Sequence, residues 1–336
     1  MMAHAIPLSI SAVVMSSSAD PSETPEQTRH RFLGVVALVG LIVCWSFVPV
    51  FLRGLKDSLD PWTANGLRYP LSALFYWPVL WIAYRRGSIT GKLCVACLVP
   101  ALFSTLGQVF WATSHYHLQA SQIGFLVRAN MVVVIVGSML LFADERRLLG
   151  MPRFYVGLVL SIGGFIGLAM NREQTVIGGD QLGLAIIFFC CLFFGAYIVS
   201  VRKCLPHADP TLAFALVAQF CSVGLLIGMF AKGDYAVVAT LDLQEWAMIA
   251  ASSVLGIALG HLLLYVSVQR LGAALTTSCQ SLTPFLTAVL AFVFLGERMT
   301  PRQWMSGVVI IIGALILLSV KNTIAQPPQE APVSQD

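Results

Sequence analysis

Along most of this chain the apolar residues do not alternate with polar ones; they run on. Stretches of about 20 mostly apolar residues, long enough for a helix to cross hydrocarbon, recur between short clusters of charges, Pro and Gly. The pattern predicts helices near 33–54, 62–84, 93–114, 121–142 and 153–171, and a second set near 182–201, 211–231, 246–267, 274–295 and 303–320. The connections are short, so sequential helices are expected to be antiparallel neighbours. The tails differ in kind. Residues 1–32 hold a weakly apolar stretch without a positive start, then a Ser run and an acidic, Pro-containing segment, and make at best a poorly formed signal peptide. They are expected to form a disordered cytoplasmic segment, with Met15 an alternative start, and the Pro/Gln-containing residues 321–336 a disordered tail.

The pattern also repeats at about 150 residues. Leu59-Asp60-Pro61 matches Ala208-Asp209-Pro210, and Leu106-Gly107 with Leu118 matches Leu259-Gly260 with Leu271. Glu145-Arg146 followed by Pro152-Arg153 matches Glu297-Arg298 followed by Pro301-Arg302. The segment 156–170 aligns without gaps to 306–320, sharing Gly157/Gly307 and Gly163/Gly313. Two repeats of five helices, 33–171 and 182–320, must insert with opposite orientation, because five is odd. The expected fold is an all-α integral membrane protein of ten transmembrane helices in two inverted five-helix repeats, a plan in which solute sites lie near the midplane between halves.

Composition agrees. Only 11% of residues are charged against 57% hydrophobic, and mean hydropathy is +0.82; a soluble domain carries about 25% charged residues. The net charge of +4 is spread along the loops and forms no basic stripe for nucleic acid. With the N-terminus inside, Lys and Arg favour the inner connections about two to one, which places both termini in the cytoplasm of a multi-pass cell (inner) membrane protein. Of eight cysteines, Cys94 and Cys97 have redox or zinc spacing, but no second pair or His accompanies them. They read as small buried hydrophobes, and no metal or cofactor is implied.

Three motifs carry a family resemblance. Phe294-Leu295-Gly296-Glu297-Arg298-Met299-Thr300-Pro301, followed by a Gly-rich closing helix, looks like the end of an EamA-type unit. Cys44-Trp45-Ser46 and Asp60-Pro61 followed by Leu67-Arg68-Tyr69 fit the start of one. Over roughly residues 33–320 the chain resembles the ten-helix EamA family of the drug/metabolite transporter superfamily. The resemblance implies two five-helix units, a central cavity and alternating access. It implies no single substrate, since members handle amino acids, other metabolites and drugs. Repeat one departs from the pattern: Ala143-Asp144-Glu145 replaces Leu-Gly-Glu, and the turn to Pro152 is longer.

Ionisable groups within a span are costly and mark function. All sixteen Asp and Glu fall in loops, tails or helix ends, which argues against cation export through a buried carboxylate. Two arginines lie within spans. Arg68 fits the family pattern and reads as structural. Arg128, near the middle of helix 4, has no span carboxylate to neutralise it. It either holds the anionic group of a substrate through its two-pronged guanidinium or is bound to carbonyls.

Polar stripes at helical spacing accompany it: Ser104, Gln108, Trp111 and His115 in helix 3; Ser253, His261, Tyr265 and Gln269 in helix 8; Thr276, Gln280, Thr283 and Thr287 in helix 9. Gln108 and His261 are repeat equivalents, as are Arg128 and Gln280. The Ser and Thr residues have a bland reading as partners of backbone carbonyls. The candidate substrate-binding set is Arg128, Gln108, Trp111, His261, Tyr265, Gln280 and Thr283. His261 is the candidate for coupling to a proton, whereas His115 is expected to lie exposed near the outer interface. Pro284 reads as a break in helix 9 that frees carbonyls near the site. The Glu145 and Glu297 turns read as interfacial caps or loop locks. Glycines at Gly157, Gly163, Gly164, Gly167, Gly256 and Gly260 read as close-packing positions.

The functional expectation is a secondary transporter of a small polar, anionic or zwitterionic, amino-acid-like metabolite. Efflux of neutral or aromatic compounds is the alternative within the class. A membrane-embedded enzyme or sensor is the alternative outside it, but no nucleophile–base pair, metal-ligand spacing or signalling domain is visible. The expected partners are the substrate, the bilayer and a coupling ion, with a homodimer left open.

Overall fold

In the computed structural model the described residues are 25–171 and 180–325, and among them there are helices and no strands. The first repeat comprises α1 (Pro25–Gly54), α2 (Pro61–Leu74), α3 (Trp77–Arg85), α4 (Gly91–His117), α5 (Ala120–Leu126), α6 (Asn130–Leu141) and α7 (Pro152–Met170). The second comprises α8 (Asp180–Cys204), α9 (Pro210–Lys232), α10 (Leu243–Ser253), α11 (Gly260–Leu271), α12 (Ala273–Gln280), α13 (Thr283–Leu295) and α14 (Pro301–Ala325).

Nine runs of the described residues are long and apolar enough to cross a membrane, with α5–α6, α10–α11 and α12–α13 each counted as one run. The predicted single helix at 62–84 is instead the pair α2 and α3. Pro78 explains the break: it cannot donate to the carbonyl of Leu74, four residues earlier. Two boundaries also differ from expectation. The first helix begins at Pro25 rather than near 33, and the last runs to Ala325. The predicted disorder of 1–24 and 326–336 falls outside the described residues.

Helix starts follow local chemistry. The Asp60 carboxylate accepts from the amides of Trp62 and Thr63 at 2.8 and 3.1 Å, with Pro61 at the first position. Asp209 does the same for Leu212 ahead of Pro210. An orphan donor is satisfied and proline's missing N–H costs nothing there. Asp242 and Glu245 form a reciprocal capping box on α10.

The packing has a two-fold plan. Two contacts join equivalent helices across the repeats, α7 with α14 and α2 with α9, and the two broken runs, α5–α6 and α12–α13, meet through α5 and α13. Further contacts come in matched pairs, α4 with α8 mirroring α11 with α1, and α6 with α8 mirroring α13 with α1. The chain is thus two intertwined, inverted repeats. Polarity is reversed relative to a soluble protein. Arg68 is 1% exposed, while Leu140 and Met170 on the outside are 71% and 79% exposed. Such a surface is stable only against lipid.

The α7–α14 contact shows what glycine contributes. A Cβ on Gly164 would lie 2.7 Å from the backbone nitrogen of Ile310, and one on Gly313 would lie 2.5 Å from that of Ser161. Gly163, predicted to pack, faces open space.

Candidate functional site

The centre of the bundle is where the chain is broken. A 3-10 turn, Val127–Ala129, interrupts α5 and α6, and Ser281–Leu282 interrupts α12 and α13. These interruptions are repeat equivalents. In the second, Pro284 has no N–H to offer the Gln280 carbonyl four residues earlier. Arg128 supplies the missing donor: its Nη2 reaches the Gln280 oxygen at 2.8 Å. The Thr283 carbonyl, just past the break, accepts from Ser46 Oγ at 3.2 Å.

Two polar atoms at this junction remain without partners, the buried Nε of Arg128 and the buried hydroxyl of Thr283. No ion pair joins Arg128 to a carboxylate among the described residues. The guanidinium therefore carries a net positive charge into the interior, tethered at one nitrogen.

Gln108 and Trp111 stand on α4. The Gln108 carbonyl accepts from Asn65 Nδ2 at 2.8 Å. Trp111 packs against the apolar cluster that also receives Val127, beside Arg128. Its ring meets Phe194 at 6.3 Å and His115 edge-on at 4.9 Å.

His261 and Tyr265 lie on α11 in a second group. His261 stacks on Phe214 at 4.0 Å and meets Trp45 edge-on at 5.5 Å; Tyr265 approaches Phe214 at 6.1 Å. A π-helical segment, Val254–Leu259, precedes this group. Such bulges free carbonyls and recur at functional sites. Here Trp45 Nε1 donates to the Gly256 oxygen at 3.0 Å and Tyr76 Oη to that of Ala258 at 2.7 Å.

The structure thus places six of the seven candidates in two groups, with Gln108 held apart on α4 beside Asn65. Arg128, Gln280 and Thr283 meet at the crossed breaks, with Trp111 against the adjoining cluster. His261 and Tyr265 sit in an aromatic layer between α1, α9 and α11. No hydrogen bond joins Gln108 or His261 to Arg128 among the described residues. The two pockets described, of about 560 and 510 Å³, lie elsewhere: one on the exposed aromatic face of Trp77, Trp81 and Tyr84, the other by Asn171 and Arg302.

One expectation is overturned. His115 is wholly buried rather than exposed. Its Nδ1 pairs with the Trp111 carbonyl at 2.8 Å, and Arg53 donates to the His115 carbonyl. Sequence reasoning also missed a buried relay: Arg68 donates to Ser252 Oγ at 2.8 Å and to Asn65 Oδ1 at 3.4 Å, and Asn65 then reaches α4. Arg68 and Asn65 are three residues apart on one helix face, which was the available signal.

The same family pattern, the model of the EamA-like transporter family, matches residues 32–170 and again 181–319. The chain belongs to the EamA-like transporter family. Among individual EamA-family relatives, an uncharacterized transporter of Methanothermobacter thermautotrophicus is 21% identical over 313 residues, 87% of this chain and 89% of that one. An uncharacterized transporter of Haemophilus influenzae is 24% identical over 204 residues, 60% of this chain and 66% of that one. The threonine/homoserine exporter RhtA of Escherichia coli K12 is 28% identical over 189 residues, 55% of this chain and 57% of that one. The match spans just over half the length of RhtA and just under two thirds of the Haemophilus protein. A solved crystal structure shares the fold at 13% identity, with a TM-score of 0.55 over 89% of this chain and 99% of that one. This EamA-like chain is therefore a multi-pass membrane protein of a family of transporters.

Proposed function

We propose that this protein is a secondary transporter that moves a small anionic or zwitterionic, amino-acid-like metabolite by alternating access, with Arg128 holding the acid group. The observation that carries this reading is the unpaired charge of Arg128 at the crossed breaks, with its Nε free of any partner. One nitrogen tethered to the Gln280 carbonyl fixes the guanidinium plane and leaves the rest of the fork to a carboxylate. The free Thr283 hydroxyl adds a second polar contact. Gln108 and Gln280 offer amides to the remainder of the solute, and Trp111, Tyr265 and Phe214 wall the path. Likeness to a threonine/homoserine exporter over part of the chain favours the same substrate class.

In this reading the protein sits in the cell (inner) membrane with both termini cytoplasmic, uses no cofactor and performs no covalent chemistry. His261 is the group that couples flux to a proton, and assembly as a homodimer is compatible with the exposed apolar faces. The aromatic layer around Phe214 favours a second reading, efflux of neutral or aromatic compounds with Arg128 purely structural.

Binding of small carboxylic acids and amino acids to purified protein, followed by flux in proteoliposomes, separates the two. Arg128→Gln is expected to weaken binding of a carboxylate by about tenfold or more, the cost of a hydrogen bond to a charged group, and Arg128→Lys to recover part of it. Binding that ignores both substitutions would establish the neutral-efflux reading instead.

A further inference from the structure

The two Glu-Arg turns do more than end helices. Glu297, after α13, closes one end of the bundle. Its carboxylate accepts from the amides of Ala120 and Ser121, each at 3.0 Å, and from the Ser121 hydroxyl at 2.9 Å. Arg53, in the last turn of α1, completes the cluster, with its Nε 3.7 Å from Glu297. Gly296 makes this possible. At φ +66° it takes the left-handed turn that ends α13, so that the Glu297 amide bonds back to the Ala291 carbonyl and its side chain swings across to α5.

The repeat mates of these residues form the same pair. Glu145 follows α6 as Glu297 follows α13, and Arg202 ends α8 as Arg53 ends α1. Glu145 and Arg202 are hydrogen-bonded and ion-paired. The Arg202 guanidinium also lies 4.1 Å over the Phe142 ring. Five membrane passes separate Glu145 from Glu297 along the chain, an odd number, so the pairs lie at opposite ends. The α5–α6 run joins them: Ala120 at its start is held by Glu297, and Glu145 lies just past its end. At about 1.5 Å per residue that run is roughly 30 Å long, the thickness of a bilayer core.

We propose that Arg53–Glu297 and Arg202–Glu145 are positioning pairs that seal the two ends of the transport path and are released alternately, one per half-cycle. Each links a helix of one repeat to the turn after a broken helix of the other, so neither end can open while its own pair holds. Both pairs are made in this structure, which is the arrangement the proposal expects of a state closed at both ends. Glu145 and Glu297 lie at the ends of the spans, where water can take up each charge as its pair parts. The proposal rests on membership of a transporter family and not on the role of Arg128.

Hydrogen exchange of the full chain in lipid nanodiscs, without solute, tests it. Glu297→Gln and Arg53→Gln are each expected to speed amide exchange at 118–124 by about tenfold, by loss of charge-assisted bonds, and to slow it at 142–148. Glu145→Gln and Arg202→Gln are expected to do the reverse. Opposite changes at the two ends are the signature that a merely structural pair would not give. Exchange that rises at both ends in every variant, or at neither, overturns the proposal. Should Glu297→Gln misfold through loss of its contacts to Ala120 and Ser121, Arg53→Gln leaves those contacts in place and carries the test alone.

Discussion

Arg128 donates to the backbone carbonyl of Gln280, and the repeat in the sequence, at the spacing that relates Glu145 to Glu297, matches these two residues to each other. A residue in contact with its own repeat mate straddles the pseudo-two-fold axis, so this hydrogen bond marks the centre of the molecule. The acceptor is available because Pro284 cannot fill it from within the helix. The side chain at one repeat's break thereby satisfies the backbone at the other's.

That dependence can be tested from the proline side. Pro284→Ala restores an amide able to take the Gln280 carbonyl, which removes the tether of Arg128. The expected outcome is weaker carboxylate binding, by about tenfold, with an unchanged melting temperature. Pro284→Ala added to Arg128→Gln should weaken binding no further, since both act on one interaction. A binding isotherm for the double variant reads this directly. Additive losses would show that the proline acts by another route.

The sequence made the spans and the repeat legible because a bilayer tolerates only long apolar helices, and a duplicated plan repeats its turn residues. Arg128 was visible for the same reason: a charge with no partner in ten apolar runs stands out. What was not legible was the pairing of side chains with backbone groups freed far away in sequence. The bond from Trp45 to Gly256 needs a π-helical turn that no residue type announces. His115 looked like an interfacial residue because its place near a helix end does not reveal the packing that buries it, nor the Arg53 of another helix that donates to its carbonyl. The division of the candidate site into a charged junction and an aromatic layer likewise follows from which helices touch, and helical spacing within one span says nothing of that.

Glycines that seem alike in sequence should differ in cost. Gly164→Ala forces a methyl into the backbone of Ile310 and is expected to destabilise by about 2 kcal/mol, as overpacking does. Gly163→Ala, one residue away, meets nothing within 4 Å and should be neutral or slightly stabilising, because alanine is the better helix former. Gly296→Ala also meets nothing within 4 Å, yet sits at φ +66°. It should cost about 1 kcal/mol through backbone strain alone. Thermal melts of the three variants in one detergent rank them: Gly164 worst, Gly296 intermediate, Gly163 unaffected. A destabilised Gly163→Ala would contradict the observed α7–α14 interface.

Asp60 provides a pH test away from the spans. Burial pushes its carboxyl up, but hydrogen bonds from the Thr63 hydroxyl and from the amides of Asp234, Thr63 and Trp62 outweigh that and leave it below the ordinary carboxylate value. A group depressed in the folded state contributes its stability in full above its unfolded value, about 3.9. The contribution is lost as pH falls through the lower folded value. Asp60→Ala removes both the charge and the α2 cap and should cost about 1 kcal/mol at neutral pH. The Asp234 amide, which donates to Asp60 at 2.9 Å, loses its acceptor too, so the link between the start of α2 and the end of α9 loosens with it. Melting curves of wild type and Asp60→Ala should therefore be separated at pH 7, still separated at pH 5, and converge only below about pH 4. A gap that closes between pH 5 and 7 would instead point to a histidine, and a gap constant down to pH 3 would mean that the cap, and not the charge, carries the effect.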